Sequence, residues 1–188
     1  MAPRKGATNR GMNPLQLRTV RAVLGEARES YGAGCESPTG RRLKSNLVHG
    51  VDVGFAPVRG EDGKQKVLKV SGLRPAVESL RRILTRVREE NPALWAELGH
   101  CGMLCCRRVR GGSEPSRHSW GCAIDLTFGG RVDPPGDGLC QRGLMEVYRY
   151  FREEGWYWGA EFSREDAMHF EVSNQQFKRW VREGLIRG

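Results

Sequence analysis

The sequence predicts an α+β fold with helices first and short, antiparallel-looking strands after them. Two patterns carry this. Helical apolar periodicity dominates the first half, over residues 14–30 and 75–90. Short alternating or aromatic segments follow Gly99, at 103–106, 122–128, 156–158 and 167–172. Composition agrees: 188 residues, 38% of them apolar, with 25 Gly and 9 Pro, suit one domain with an ordinary core and exclude a low-complexity or fibrous chain.

Residues 1–12 are polar and basic and are expected to form a flexible tail, leaving 13–188 as a single domain. Over 14–30, Leu15, Leu17, Val20, Val23, Leu24 and Ala27 recur mostly three or four apart, with Pro14 near the first turn of an amphipathic helix. Residues 31–46 read as a loop and 47–58 as a strand pair or an extended segment. Glu61-Asp62-Gly63 is a turn before an alternating strand at 66–70. Val77, Leu80, Ile83, Leu84 and Val87 mark a helix over 75–90, opened by Pro75 and broken by Asn91-Pro92; 93–98 add a turn or two. Then come a short strand at 103–106, a loop at 111–116, a strand at 122–128 and a Gly/Asp/Pro-rich loop to 138. A helix over 143–154 stops at Gly155, and strands at 156–158 and 167–172 lead to a closing helix over 174–183.

A net charge of +9, from 31 Lys and Arg against 22 Asp and Glu, favours anionic partners. Arg108-Val109-Arg110 and Arg41-Arg42 do not make a stripe of the kind that tracks nucleic acid, so no nucleic-acid partner is expected; the contrary reading predicts strong, salt-sensitive DNA affinity without metal. No apolar run is long enough to span a bilayer, so no stable membrane insertion is expected. The opening MAPRKGATNRGMNPLQLR lacks the apolar stretch of a secretory signal, which predicts synthesis in the cytoplasm. Six Cys are too few for a disulfide scaffold in this length and are expected to be mostly reduced, small buried thiols.

The chemistry concentrates in two segments. In Ser116-Arg-His118-Ser-Trp-Gly121-Cys-Ala-Ile-Asp125, a glycine between His118 and Asp125 permits the tight turn by which a loop imidazole meets a strand carboxylate. Cys122, Ile124 and Leu126 share one face of that strand and Ala123 and Asp125 the other, and a carboxylate in so apolar a strand needs a partner. In Asp166-Ala-Met168-His169-Phe170-Glu171-Val172, alternation places His169 and Glu171 opposite Met168, Phe170 and Val172. Two imidazoles and one carboxylate match the ligand count of a catalytic zinc site with its fourth position open to water, and Asp166 could take a proton from that water. The bland alternative is that His118 caps a turn, Asp125 pairs with an arginine and His169 is a satisfied sheet residue.

The two motifs, Ser-x-His-x-x-Gly-x-Ala-x-Asp and Asp-x-Met-His-Phe-Glu, resemble those of the zinc D-alanyl-D-alanine carboxypeptidase and L-alanyl-D-glutamate endopeptidase family, which cuts peptidoglycan stem peptides and includes phage endolysins. The resemblance spans about 102–180, taking in Cys106-Arg107-x-x-Arg110-Gly111 and Gly155-Trp156-Tyr157-Trp158-Gly159. It implies a small antiparallel sheet carrying the metal and flanked by helices, as in the related hedgehog signalling domain. It also implies Zn2+ on His118, Asp125 and His169, and Asp166 as general base and then acid. Arg107 is implied to bind substrate and steady the oxyanion, with Arg110 and then Arg108 as competing choices, and Ser116 to touch substrate. The implied partner is a peptidoglycan stem peptide; a monomer is expected, although the sequence leaves the oligomeric state open. The leading context is an endolysin-type lytic enzyme that reaches the wall through another protein's membrane lesion. The alternatives are a D-alanyl-D-alanine carboxypeptidase of wall maintenance and a non-catalytic zinc-binding module of the same fold. Which peptide bond is cut is left open, to be set by loops such as 129–140.

Four further groups have plainer readings. Glu171 is expected to orient a ligand imidazole rather than act as the base. His49 reads as a strand-end residue. His100 with Cys101, Cys105 and Cys106 has spacing too irregular for a second zinc site. Alternate members of Trp156-Tyr157-Trp158 are expected in the core, and Trp120 is expected to border the cleft.

Overall fold

The computed structural model describes residues 7–60 and 64–188. Helix α1 (Leu17–Leu24) and α2 (Arg41–Asn46) precede strand β1 (Leu47–Asp52), β2 (Val58–Arg59), β3 (Gln65–Lys66) and β4 (Lys69–Leu73). Helices α3 (Arg74–Glu90) and α4 (Pro92–Glu97) lead into β5 (Leu98–Gly102) and β6 (Ala123–Phe128). Then follow α5 (Arg142–Glu153), β7 (Trp156–Trp158), β8 (His169–Val172) and α6 (Asn174–Arg182). The fold is α+β with antiparallel sheets, as the sequence predicts: β1 pairs with β4, β2 with β3, and a four-stranded sheet runs β5-β6-β8-β7.

The four-stranded sheet separates a packed face from a reactive one. Phe170 of β8 stacks 4.3 Å from Phe151 of α5 and 5.7 Å from Trp158 of β7, all three buried. Full burial of such a side chain stabilises by roughly 1.5–3 kcal/mol. Ile124 and Leu126 of β6 join this core together with Ile83, Leu84 and Val87 of α3. Strand alternation then sends Asp125, His169 and Glu171 to the opposite face. The polar ends of the buried indoles are satisfied: Trp156 Nε1 donates to Ser79 Oγ at 2.9 Å and Trp158 Nε1 to the Ala167 carbonyl at 2.6 Å.

Several elements differ from expectation. The strand expected at 103–106 is displaced to β5, because Gly102, at φ +127°, takes the chain off the ladder; Cys106 makes only an isolated bridge with Glu36. Helix α2 forms inside the expected loop 31–46, burying Leu43 and Asn46. Helix α1 starts at Leu17 rather than 14, since Gln16 is extended at φ −81° and ψ 133°; the Leu15 amide ahead of it bonds Glu171 Oε1, 2.8 Å away. The Glu61-Asp62-Gly63 turn lies outside the described residues, as do residues 1–6 of the expected tail. Thr8 and Asn9 of that tail are buried: Thr8 donates through N and Oγ1 to Glu161, and Asn9 bonds the Trp158 backbone in both directions. Four of the six cysteines are free thiols, as expected for a mostly reduced set, while Cys35 and Cys105 are joined and tie the 31–40 segment to the chain just before Arg107. No helix among the described residues is long and apolar enough to cross a membrane.

Candidate metal centre

The first pair of the site is set by strand register. Asp125 of β6 and His169 of β8 are directly opposed, so both side chains leave the same face, with Asp125 Oδ1 2.9 Å from His169 Nδ1. His118 arrives from a 3-10 turn over Arg117–Trp120, capped by Ser116, whose Oγ accepts from the His118 amide at 3.4 Å. The turn closes at Gly121, φ +62°, where an added Cβ would lie 2.6 Å from Gly72 Cα; only glycine fits. His118 Nε2 ends 3.0 Å from Asp125 Oδ1 and 3.2 Å from His169 Nδ1.

These three donors fit one divalent cation. Four ligands at about 2.0–2.1 Å from a tetrahedral zinc stand about 3.3 Å apart, close to the separations observed. Each imidazole also has its far nitrogen engaged. His118 Nδ1 lies 3.0 Å from the Met103 carbonyl, and His169 Nε2 lies 3.2 Å from Glu171 Oε2. The carbonyl and the carboxylate orient the two rings so that Nε2 of His118 and Nδ1 of His169 face Asp125, where each can donate to a metal once deprotonated.

The electrostatics describe a seat for positive charge. Burial opposes ionisation of Asp125, but hydrogen bonds and charge from His118 and His169 outweigh it and hold the carboxyl far below the usual range. Burial likewise opposes a charged His169, yet the Asp125 and Glu171 carboxylates raise it to about 10. In the metal-free protein a proton on His169 therefore stands where a cation's charge would.

A cleft of about 430 Å³ opens onto Asp125 and His169, lined among others by Arg107, Arg110, Ser116, Phe162 and Asp166; His118 is buried against both. Arg107 Nη2 lies 3.6 Å from Asp125 Oδ2. Arg110 lines the cleft wall, and Arg108 turns away to the Ser113 carbonyl. Asp166 is anchored by backbone bonds, its N–H to the Gly159 carbonyl and its carbonyl to the His169 N–H. Its Oδ1 is enclosed without a partner; burial raises its pKa and the Asp125 charge adds to that, against His169, His118 and Arg107.

The expectation that Trp120 borders the cleft is corrected: it is fully buried, its indole N–H donating to the Gly25 carbonyl at 2.9 Å. His49 is exposed on β1, and His100 packs its ring against Phe55 at 4.9 Å. Cys101, Cys105 and Cys106 join no metal-capable group among the described residues. Two contributors escaped sequence reasoning. Phe162, 5.7 Å from the His169 ring, sits in an irregular segment without periodicity, and the Met103 carbonyl is a backbone group that no residue type announces.

Residues 110–172 match the family described as D-alanyl-D-alanine carboxypeptidase. The match covers about a third of the chain and contains Ser116, His118, Asp125, Asp166, His169 and Glu171, with Arg107 just ahead of it. The resemblance read from the two motifs is borne out over this segment, which matches the model of a peptidase family. No curated protein matches the chain.

Proposed function

We propose, on the premise of this peptidase-family segment, that the chain is a zinc-dependent peptidase that hydrolyses a bond next to a D-amino acid in peptidoglycan stem peptides. The observation that carries the reading is the convergence of His118 Nε2, Asp125 Oδ1 and His169 Nδ1 within 4.8 Å of one another, with Asp125 and His169 lining an open cleft. These three atoms would hold the ion. Zinc bound there supplies Lewis acidity that polarises the scissile carbonyl and acidifies water.

The chain's own groups do the rest. Asp166 accepts a proton as water adds to the carbonyl carbon and delivers it to the amine nitrogen as the C–N bond breaks. Arg107 binds substrate carboxylate or the oxygen on which charge develops, and Ser116 hydrogen-bonds substrate beside the metal. Glu171 keeps the His169 ring in place.

An endolysin-type role, acting on the wall after release through another protein's membrane lesion, suits the net charge of +9, which favours an anionic polymer. A carboxypeptidase of wall maintenance uses the same site. A non-catalytic zinc module is disfavoured by Asp166, whose enclosed and unpartnered Oδ1 has no structural duty. The test is digestion of purified peptidoglycan with and without a chelator, followed by mass analysis. Metal-dependent release of single D-Ala identifies a carboxypeptidase and release of unlinked stem peptides an endopeptidase. Intact peptidoglycan with metal-loaded protein contradicts the proposal.

A further inference from the structure

We propose that Asp133, Asp137 and Glu165 form a calcium site that fastens the 129–140 loop to the segment carrying Asp166. One carboxylate oxygen from each lies within 4.8 Å of those of the other two. Proximity of acids alone is no site, and a second observation points to a ligand. Asp133 is only 2% exposed, and its Oδ1 is enclosed with no hydrogen-bond partner, while Oδ2 accepts from the Gln141 amide at 2.7 Å. A buried anionic oxygen left unpaired costs free energy that a bound cation removes. No Lys, Arg or His among the described residues forms an ion pair with any of the three.

The donor set selects the ion class. All three ligands are carboxylate oxygens with no nitrogen or sulfur, which suits a hard cation rather than zinc. They come from an irregular loop and a neighbouring turn, and calcium tolerates such geometry, whereas magnesium demands a near-ideal octahedron. The frame is already built. Glu165 Oε1 accepts from Gly136 N at 2.7 Å and Oε2 from Gly138 N at 3.1 Å, and Asp137 Oδ1 accepts from Leu139 N at 2.8 Å.

Glu165 precedes Asp166, and both line the cleft with Pro135 and Arg164. Occupancy therefore stiffens one cleft wall, bringing three mutually repelling carboxylates to rest around one charge. The effect on hydrolysis rests on the function proposed above; calcium binding does not.

The test is calorimetric titration of calcium chloride into the zinc-loaded full chain, with melting temperature followed in parallel. One calcium should bind per chain with a Kd of about 10⁻⁴–10⁻³ M, in the range of extracellular modules, and raise Tm. Asp133→Asn and Asp137→Asn should each weaken binding by about tenfold or more, and His118→Ala should leave it unchanged. Asp137 is exposed, so its substitution does not threaten folding. The proposal is overturned by absence of calcium-dependent heat and Tm change, by binding that survives both carboxamide substitutions or is lost in His118→Ala, or by equal affinity for magnesium. Calcium binding with no hydrolysis of peptidoglycan would sustain this site and refute the proposed function.

Discussion

Asp125 stands directly opposite His169 in the β6–β8 ladder, with 2.9 Å between Oδ1 and Nδ1. The pairing is a consequence of register: Phe170, packed on Phe151, pins β8, and a slip of one residue would turn His169 into the core and Phe170 into the cleft. The packing of the far face of the sheet thus holds two of the three candidate metal donors.

Replacing Asp166 should separate binding from chemistry. Asp166→Asn preserves shape and removes the proton acceptor. Zinc content should stay at the wild-type value while kcat falls by about 10²–10⁴-fold. Ordinary hydrolysis by a zinc-loaded variant would remove Asp166 from the mechanism.

Glu171 is placed to orient His169 rather than to react, with Oε2 3.2 Å from Nε2 and Oε1 accepting from the Leu15 amide. Glu171→Gln should weaken zinc affinity by about 10–100-fold and leave kcat per bound zinc nearly intact. A base would show the reverse, full zinc occupancy with collapsed kcat, so metal titration and single-turnover rates decide between them.

The pH dependence follows from His169, raised to about 10 against an ordinary value of 6.5. A raised imidazole stabilises the metal-free fold fully below about 6.5, and that contribution is lost as pH rises through 10. Chelated protein should therefore melt at lower temperature at pH 10 than at pH 7. Because zinc must displace that proton, its affinity should rise about tenfold per pH unit between pH 7 and 9. Asp125, held low, stays ionised throughout this window. Proton release on zinc addition, measured in two buffers of different ionisation enthalpy, checks the exchange; no release would contradict it.

Gly121 is the steric condition for the His118 turn. Gly121→Ala forces a Cβ to within 2.6 Å of Gly72 Cα at φ +62°, and should cost at least about 2 kcal/mol. Denaturant titration should show an earlier midpoint, with a matching loss of zinc affinity; wild-type stability would mean the turn relaxes freely.

Much of the site was legible because its residues are types that chemistry restricts. His118, Asp125 and His169 stand at spacings that strand alternation and a glycine turn convert directly into convergence. Orientation of the outer nitrogens was only half legible: Glu171 is visible two residues from His169, whereas the Met103 carbonyl is a product of the irregular 103–106 path. That path was misread as a strand because apolar residues there satisfy burial without a ladder. The buried Thr8 and Asn9 were hidden for a similar reason, since polar residues read as tail until a partner such as Glu161 exists in three dimensions. The Cys35–Cys105 link joins positions 70 residues apart, a contact no local pattern encodes.

Elemental analysis for zinc, combined with X-ray absorption at the zinc edge, decides whether His118, Asp125 and His169 hold the ion. One zinc per wild-type chain is expected, in a nitrogen and oxygen environment, with its loss in each of His118→Ala, Asp125→Ala and His169→Ala while the fold persists. Sulfur in the coordination sphere, or full zinc content in any of the three variants, would contradict this expectation.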